Sequence, residues 1–113
     1  METHVCNNQA PNYLDLSCSL NDNSTVTLYC EASCGESQYP IWGTDIYTSD
    51  SPICRSAIHD GKLATGESGY VAITNAAQCD DFVGSTRNGI TTMNYGEWPQ
   101  GSFKFVNTIG TII

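Results

Sequence analysis

The chain has 113 residues, with four Lys and Arg against twelve Asp and Glu, for a net charge of −8. That length fits one domain with a modest core. The charge excludes nucleic acid and anionic membrane surfaces as partners, because both require basic patches.

No stretch approaches the roughly 18 apolar residues of a membrane-spanning helix. No basic segment followed by an apolar run marks a signal peptide at the start. The six cysteines are Cys6, Cys18, Cys30, Cys34, Cys54 and Cys79. An even count in a short chain predicts a disulfide framework and an oxidising compartment. Many pairings are compatible with six cysteines, and spacing does not choose among them. Zinc is the competing reading. Cys30 and Cys34 stand three residues apart rather than two, and His4 and His59 form no His pair, so no metal is expected.

In chain order, Met1 to Pro11 is polar and irregular, anchored only by Cys6. Tyr13 to Leu20 alternates weakly and predicts a short strand. Asn21 to Ser24 is a turn that carries a glycosylation sequon at Asn23. Thr25 to Cys30 alternates Val26, Leu28 and Cys30 with Thr and Tyr, a clear strand pattern. A hairpin between these two segments would bring Cys18 towards Cys30. A short connector with Cys34 follows. Tyr39 to Ser49 then reads as two short strands broken at Gly43, with Ile41, Trp42, Ile46 and Tyr47 as core candidates.

The organising element is a helix from about Ser51 to Asp60. Asp50 or Ser51 is the expected N-cap, Pro52 suits the first turn, and Gly61 supplies a left-handed stop. Ile53, Cys54, Ala57 and Ile58 share one face, so the helix is expected to be buried and covalently tied. Beyond a Gly-rich link, Tyr70 to Thr74 reads as a strand. Asn75 to Asn88 reads as a loop pinned by Cys79, Asn88-Gly89 as a tight turn, and Ile90 to Met93 as a short, partly apolar piece. Gly96 to Gly101 is a turn holding Trp98, and Ser102 to Val106 alternates as a closing strand. The tail 107–113 is apolar. It either packs back on the domain or adds a strand to a neighbour.

The run from Ile41 to Leu63 resembles the signature of the LCCL domain family. The matching residues are Gly43, Tyr47, Ser49, Ser51, Ile53, Cys54, Ala57, His59 and Gly61, with Ile58 where the family usually has Val. Leu28-Tyr29-Cys30 with Cys34 upstream, and Asn88-Gly89-Ile90, Trp98 and Phe103 to Val106 downstream, extend the likeness over about residues 16–106. Pro52, Arg55 and the acidic pair Asp80-Asp81 depart from the pattern.

The resemblance implies an α+β fold, a short central helix wrapped by irregular antiparallel strands and stapled by disulfides. Carried over from the family, the disulfides are Cys18–Cys30 and Cys34–Cys54. Cys6 and Cys79, outside the usual four, are then expected to pair with each other. The implied organisation is an N-terminal extension over 1–15, the domain over 16–106 and a tail over 107–113. The implied role is that of a secreted or cell-surface, non-enzymatic binding module in adhesion, matrix or defence, with an extracellular protein, glycan or lipid partner and no cofactor. Scarce basic residues argue against lipid phosphates as the ligand. The alternative is a structural subunit of an extracellular polymer that associates through residues 107–113.

Three candidate sites need weighing. His59 beside Asp60 suggests hydrolysis, but a triad needs convergent groups, and a His at a helix end usually caps or packs. Trp42 and Trp98 are the candidate ligand groove, with Tyr47 and Phe103 more naturally core. Asn21-Asp22-Asn23 and Asp80-Asp81 lack the spacing of a calcium loop and read as solvated turns.

Overall fold

The computed structural model describes residues 16–18, 25–31 and 40–106. Cys6, Cys34, Asn23, the turn at 21–24, the N-terminal extension and the apolar tail 107–113 lie outside the described residues.

The chain runs β1 (Thr25–Cys30), β2 (Gly43–Thr44), β3 (Ile46–Thr48), α1 (Ile53–Asp60), β4 (Gly69–Asn75), β5 (Asp80–Phe82), β6 (Thr86–Arg87), β7 (Ile90–Thr91), β8 (Tyr95–Glu97) and β9 (Ser102–Val106). An antiparallel five-stranded sheet in the order β1-β4-β9-β3-β2 carries α1 on one face. Two small hairpin-like pairs, β5-β8 and β6-β7, complete the fold. The α+β class stands as expected, with a single short helix among the described residues.

Alternation builds the sheet's inner face. Val26 lies opposite Ile73, which lies opposite Phe105, and Leu28 lies opposite Val71. Phe103 lies opposite Tyr47 on β3. Directly opposed residues share a face, so these side chains form one apolar layer. The helix seals it with Ile53, Cys54, Ala57 and Ile58, all at most 5% exposed.

The helix stops as expected and starts differently. Gly61 is left-handed at φ 88°. Its N–H donates to Ile58 O, and the Lys62 N–H donates to Ala57 O, a Schellman closure. The Asn88 side-chain amide also donates to two carbonyls of the last turn, Ile58 O and His59 O, at 2.9 and 3.1 Å. At the other end neither Asp50 nor Ser51 is the N-cap. Pro52 holds that position in extended backbone, with no side-chain cap. A residue before proline is pushed out of the helical region, so Ser51 cannot begin the turn. Its hydroxyl instead bonds Thr48 and the Trp42 N–H, while Asp50 accepts from the Thr48 hydroxyl.

Other boundaries move for equally local reasons. Leu16 to Cys18, the described part of the strand expected over 13–20, is not strand, and β1 pairs with β4. The β2–β3 hairpin turns at Asp45, φ 68°, not at Gly43. Gly43 is nonetheless obligatory. Its φ is 109°, and a Cβ there would collide with the Ile46 carbonyl oxygen. Asn88-Gly89 turns with both residues at positive φ, joining β6 to β7. The stretch read as a loop over 75–88 contains β5 and β6.

The disulfide pairings need correction. Cys30 bonds Cys54, and Cys18 bonds Cys79, in place of Cys18–Cys30, Cys34–Cys54 and Cys6–Cys79. Cys30 is the third inward residue of β1, after Val26 and Leu28, and it is fully buried under the helix face that carries Cys54. Cys18 instead sits beside the start of β5, where Ser17 N also donates to the Asn75 side chain at 3.1 Å.

Candidate functional site

Three aromatic residues from separate segments converge on one cleft. Trp42 precedes β2, Tyr95 opens β8, and Trp98 lies in the turn before β9. With Thr48 and Asp50 they line a cavity of about 160 Å³. The Trp42 and Tyr95 rings stand 6.0 Å apart at 68°, and those of Tyr95 and Trp98 stand 5.8 Å apart at 79°. Edge-to-face packing of this kind is attractive, and it leaves successive ring faces as walls. The sequence candidates Trp42 and Trp98 are thus brought together, and Tyr95 joins them.

Each wall is fixed by backbone chemistry. Residue 93 is clamped beside residues 41–43, with Met93 N donating to Ile41 O and Gly43 N donating to Met93 O. The Trp42 N–H donates to Ser51 Oγ at 3.1 Å. On the far wall, Trp98 N donates to Cys79 O at 2.7 Å, and the indole N–H donates to Ser49 Oγ at 2.8 Å. The Cys18–Cys79 disulfide therefore tethers the residue whose carbonyl holds the Trp98 backbone. At the edge, Asp50 accepts from the Thr48 hydroxyl at 2.6 Å. Beyond Tyr95 on β8, Glu97 lies directly opposite Asp80 of β5, so that expected turn carboxylate faces a second one across a strand pair.

His59 belongs to a different arrangement. It has no accessible surface. Its Nδ1 lies 2.9 Å from the Tyr47 hydroxyl, which donates to Asp60 at 3.3 Å. Its Nε2 lies 3.2 Å from Ser85 Oγ, and Ser85 Oγ lies 2.6 Å from Thr44 Oγ1. Nε2 also lies 3.3 Å from the Ser85 carbonyl oxygen, so both ring nitrogens have a partner in either neutral tautomer. Every member is satisfied, as a buried network requires. Asp60 reaches the histidine through Tyr47 rather than directly. A serine–histidine contact is present, but no substrate atom can reach a sealed imidazole. The Tyr47–His59–Gly61 portion of the motif is therefore a core lock: Tyr47, Ile53 and Ala57 pack, His59 bonds, and Gly43 and Gly61 turn the chain.

Burial, with a smaller contribution from Arg87, lowers the His59 pKa from its ordinary value, and burial then Asp60 raise that of Tyr47. The sign follows directly. A folded-state His pKa below the unfolded value gives stability that is complete above about 6.5 and is lost as pH falls through the folded pKa. The unfolding midpoint is expected to drop as the pH falls below about 6.5. His59→Gln is expected to flatten that limb. Thermal melts of both proteins across the range check it.

The fold and this core lock define a disulfide-stapled α+β module built around a short buried helix. The LCCL domain family model matches residues 4–103, and the chain belongs to that family. It is 38% identical over 85 residues to clotting factor C of Tachypleus tridentatus, covering 75% of this chain and 8% of that protein. It is 32% identical over 69 residues to human vitrin, covering 61% of this chain and 10% of that protein. It is 35% identical over 72 residues to human cysteine-rich secretory protein LCCL domain-containing 2, covering 61% of this chain and 14% of that protein. The matched segment is thus a small part of each of these relatives.

Proposed function

We propose that the chain is a secreted, non-catalytic binding module whose extracellular partner seats in the Trp42–Tyr95–Trp98 cleft. The convergence of three aromatic side chains on one opening carries this reading. Tyr95 is 40% exposed at the cleft mouth, whereas Tyr47 and Phe103 are fully buried. Rings held open to solvent by indole and backbone hydrogen bonds are pre-organised for stacking on a flat or apolar ligand face. Two disulfides suit an oxidising compartment, and the secretory name of one relative is consistent with it. The sealed histidine supports a role without catalysis.

Isothermal titration of the whole chain against matrix glycans, phospholipid vesicles and peptides tests the reading. Tyr95→Ala is expected to weaken whichever class binds by roughly tenfold. The reading fails if Tyr95→Ala binds normally while Tyr70→Ala does not. Tyr70 pairs with Tyr29 at 5.0 Å away from the cleft, on the side of the sheet opposite the helix, and is 66% exposed.

A further inference from the structure

We propose that Asn88 is a modification site: a point of deamidation that the folded chain holds shut by using the reacting side-chain amide to cap α1.

The sequence supplies the reactivity. Asn88-Gly89 is the chain's single Asn-Gly step. Glycine leaves its backbone nitrogen unshielded by a Cβ and lets the chain rotate freely around it. That nitrogen, after giving its proton to hydroxide, attacks the Asn88 side-chain carbonyl carbon. A carbon–nitrogen bond forms and closes a succinimide ring. The side-chain carbon–nitrogen bond breaks, and ammonia leaves with a proton taken from water. Water then adds to either ring carbonyl carbon and opens the ring, giving aspartate or isoaspartate. The sum is one water consumed and one ammonia released, with nothing oxidised or reduced.

The fold withholds that chemistry. The amide that must leave is bound to the helix end, Nδ2 donating to Ile58 O at 2.9 Å and to His59 O at 3.1 Å. The turn opposes ring closure as well. Asn88 and Gly89 stand at φ 53° and 80° in a two-residue connection between β6 and β7, the type I′ pattern. A succinimide needs Cβ and the next nitrogen nearly eclipsed about the Cα–C bond, and a type I′ turn holds them well apart. Water is at hand, because Asn88 is exposed and lines, with Lys62, Thr65 and Glu67, a cavity of about 490 Å³. The barrier is therefore conformational: the cap and the turn must open together.

The product cannot close the cap again. An ionised carboxylate has no donor. It presents acceptor oxygens to the carbonyls of Ile58 and His59, at the negative end of the helix. Isoaspartate also adds a methylene to the turn that sets the pairing of Arg87 with Ile90. Ser85, which meets both His59 and Thr44, stands just before β6. Loosening this hairpin therefore reaches the buried network.

The disulfide-intact whole chain is aged at mildly alkaline pH, in buffer and in an unfolding concentration of urea. The end-blocked peptide Thr-Arg-Asn-Gly-Ile, the sequence of residues 86–90, is aged beside it in both solvents to give the unprotected rate. Peptide mapping that resolves asparagine, aspartate and isoaspartate reads position 88. In urea the chain is expected to react as fast as the peptide. In buffer it is expected to react slower than the peptide by about tenfold or more. Asn88→Asp, which makes one product directly, is expected to unfold at lower urea than the parent, with a deficit that shrinks in high salt. If that variant does not fold, the rate comparison on the parent chain decides alone.

A folded chain that reacts as fast as the peptide overturns the protection. An unfolded chain that keeps Asn88 intact while the peptide reacts overturns the site. A folded Asn88→Asp variant as resistant to urea as the parent overturns the uncapping.

Discussion

Replacing Cys30 and Cys54 together with alanine is expected to lower the free energy of unfolding by about 4 kcal/mol. The two residues are 24 apart in sequence. In the chain-entropy model a loop of that size accounts for about 3.5 kcal/mol. The remainder comes from packing, because Cys30 is 0% and Cys54 5% exposed, and alanines leave a small void between β1 and α1. That is a large share of the stability of a small domain. Urea unfolding monitored by circular dichroism checks it, and a midpoint within experimental error of the parent would contradict it. The Cys18–Cys79 bond closes a longer loop, 61 residues, but it joins surface segments and leaves no void. Its loss is expected to loosen the Trp98 wall more than the core.

Tyr47→Ala is expected to be about as damaging, at about 4 kcal/mol. Its ring is fully buried. It touches Phe103, Phe105 and His59 at centroid separations of 5.8, 5.9 and 5.7 Å. Alanine removes that packing and also strands His59 Nδ1, a buried polar atom that then lacks its partner. Tyr47→Phe separates the two contributions. It keeps the ring and removes only the hydroxyl, so about 1–3 kcal/mol should be lost. Calorimetric melts of the two variants check the ordering, and a phenylalanine variant as unstable as the alanine one would refute the packing share.

What could be read without coordinates was local. The alternation of Val26, Leu28 and Cys30 gave β1 its span, and the Ile53, Cys54, Ala57 and Ile58 face gave α1 its burial. Gly61 and Asn88-Gly89 declared their turns because positive φ leaves few residue choices. Features that depend on distant pairing were hidden. The three-residue strands β5 and β8 contain Asp, Gly and Glu, poor strand formers, and exist because each finds the other.

The cysteine pairs illustrate the same limit from the other side. The inward phase of β1 was already visible, and it pointed Cys30 at the helix face bearing Cys54. The hairpin expected between Tyr13–Leu20 and β1 brought Cys18 towards Cys30 instead, and the family's order assigned the same pair. The cleft was half legible. Trp42 and Trp98 stood out as aromatic residues near turns, but Tyr95 gave no sign of completing the wall. Its place depends on the β5–β8 pairing and on the clamp between residue 93 and residues 41–43. His59 was read as structural from its position at the helix end. Its link to Asp60 through Tyr47 required the hairpin and helix to be docked.

One crosslink ties the helix to β1, and the other tethers Cys79, whose carbonyl accepts from the Trp98 N–H. Proteolytic mapping of the unreduced protein by mass spectrometry tests this most directly. A peptide containing Cys30 joined to one containing Cys54, and a peptide containing Cys18 joined to one containing Cys79, are the predicted products. Recovery of Cys18 joined to Cys30 would contradict the docking of the helix, and with it the frame that presents the cleft.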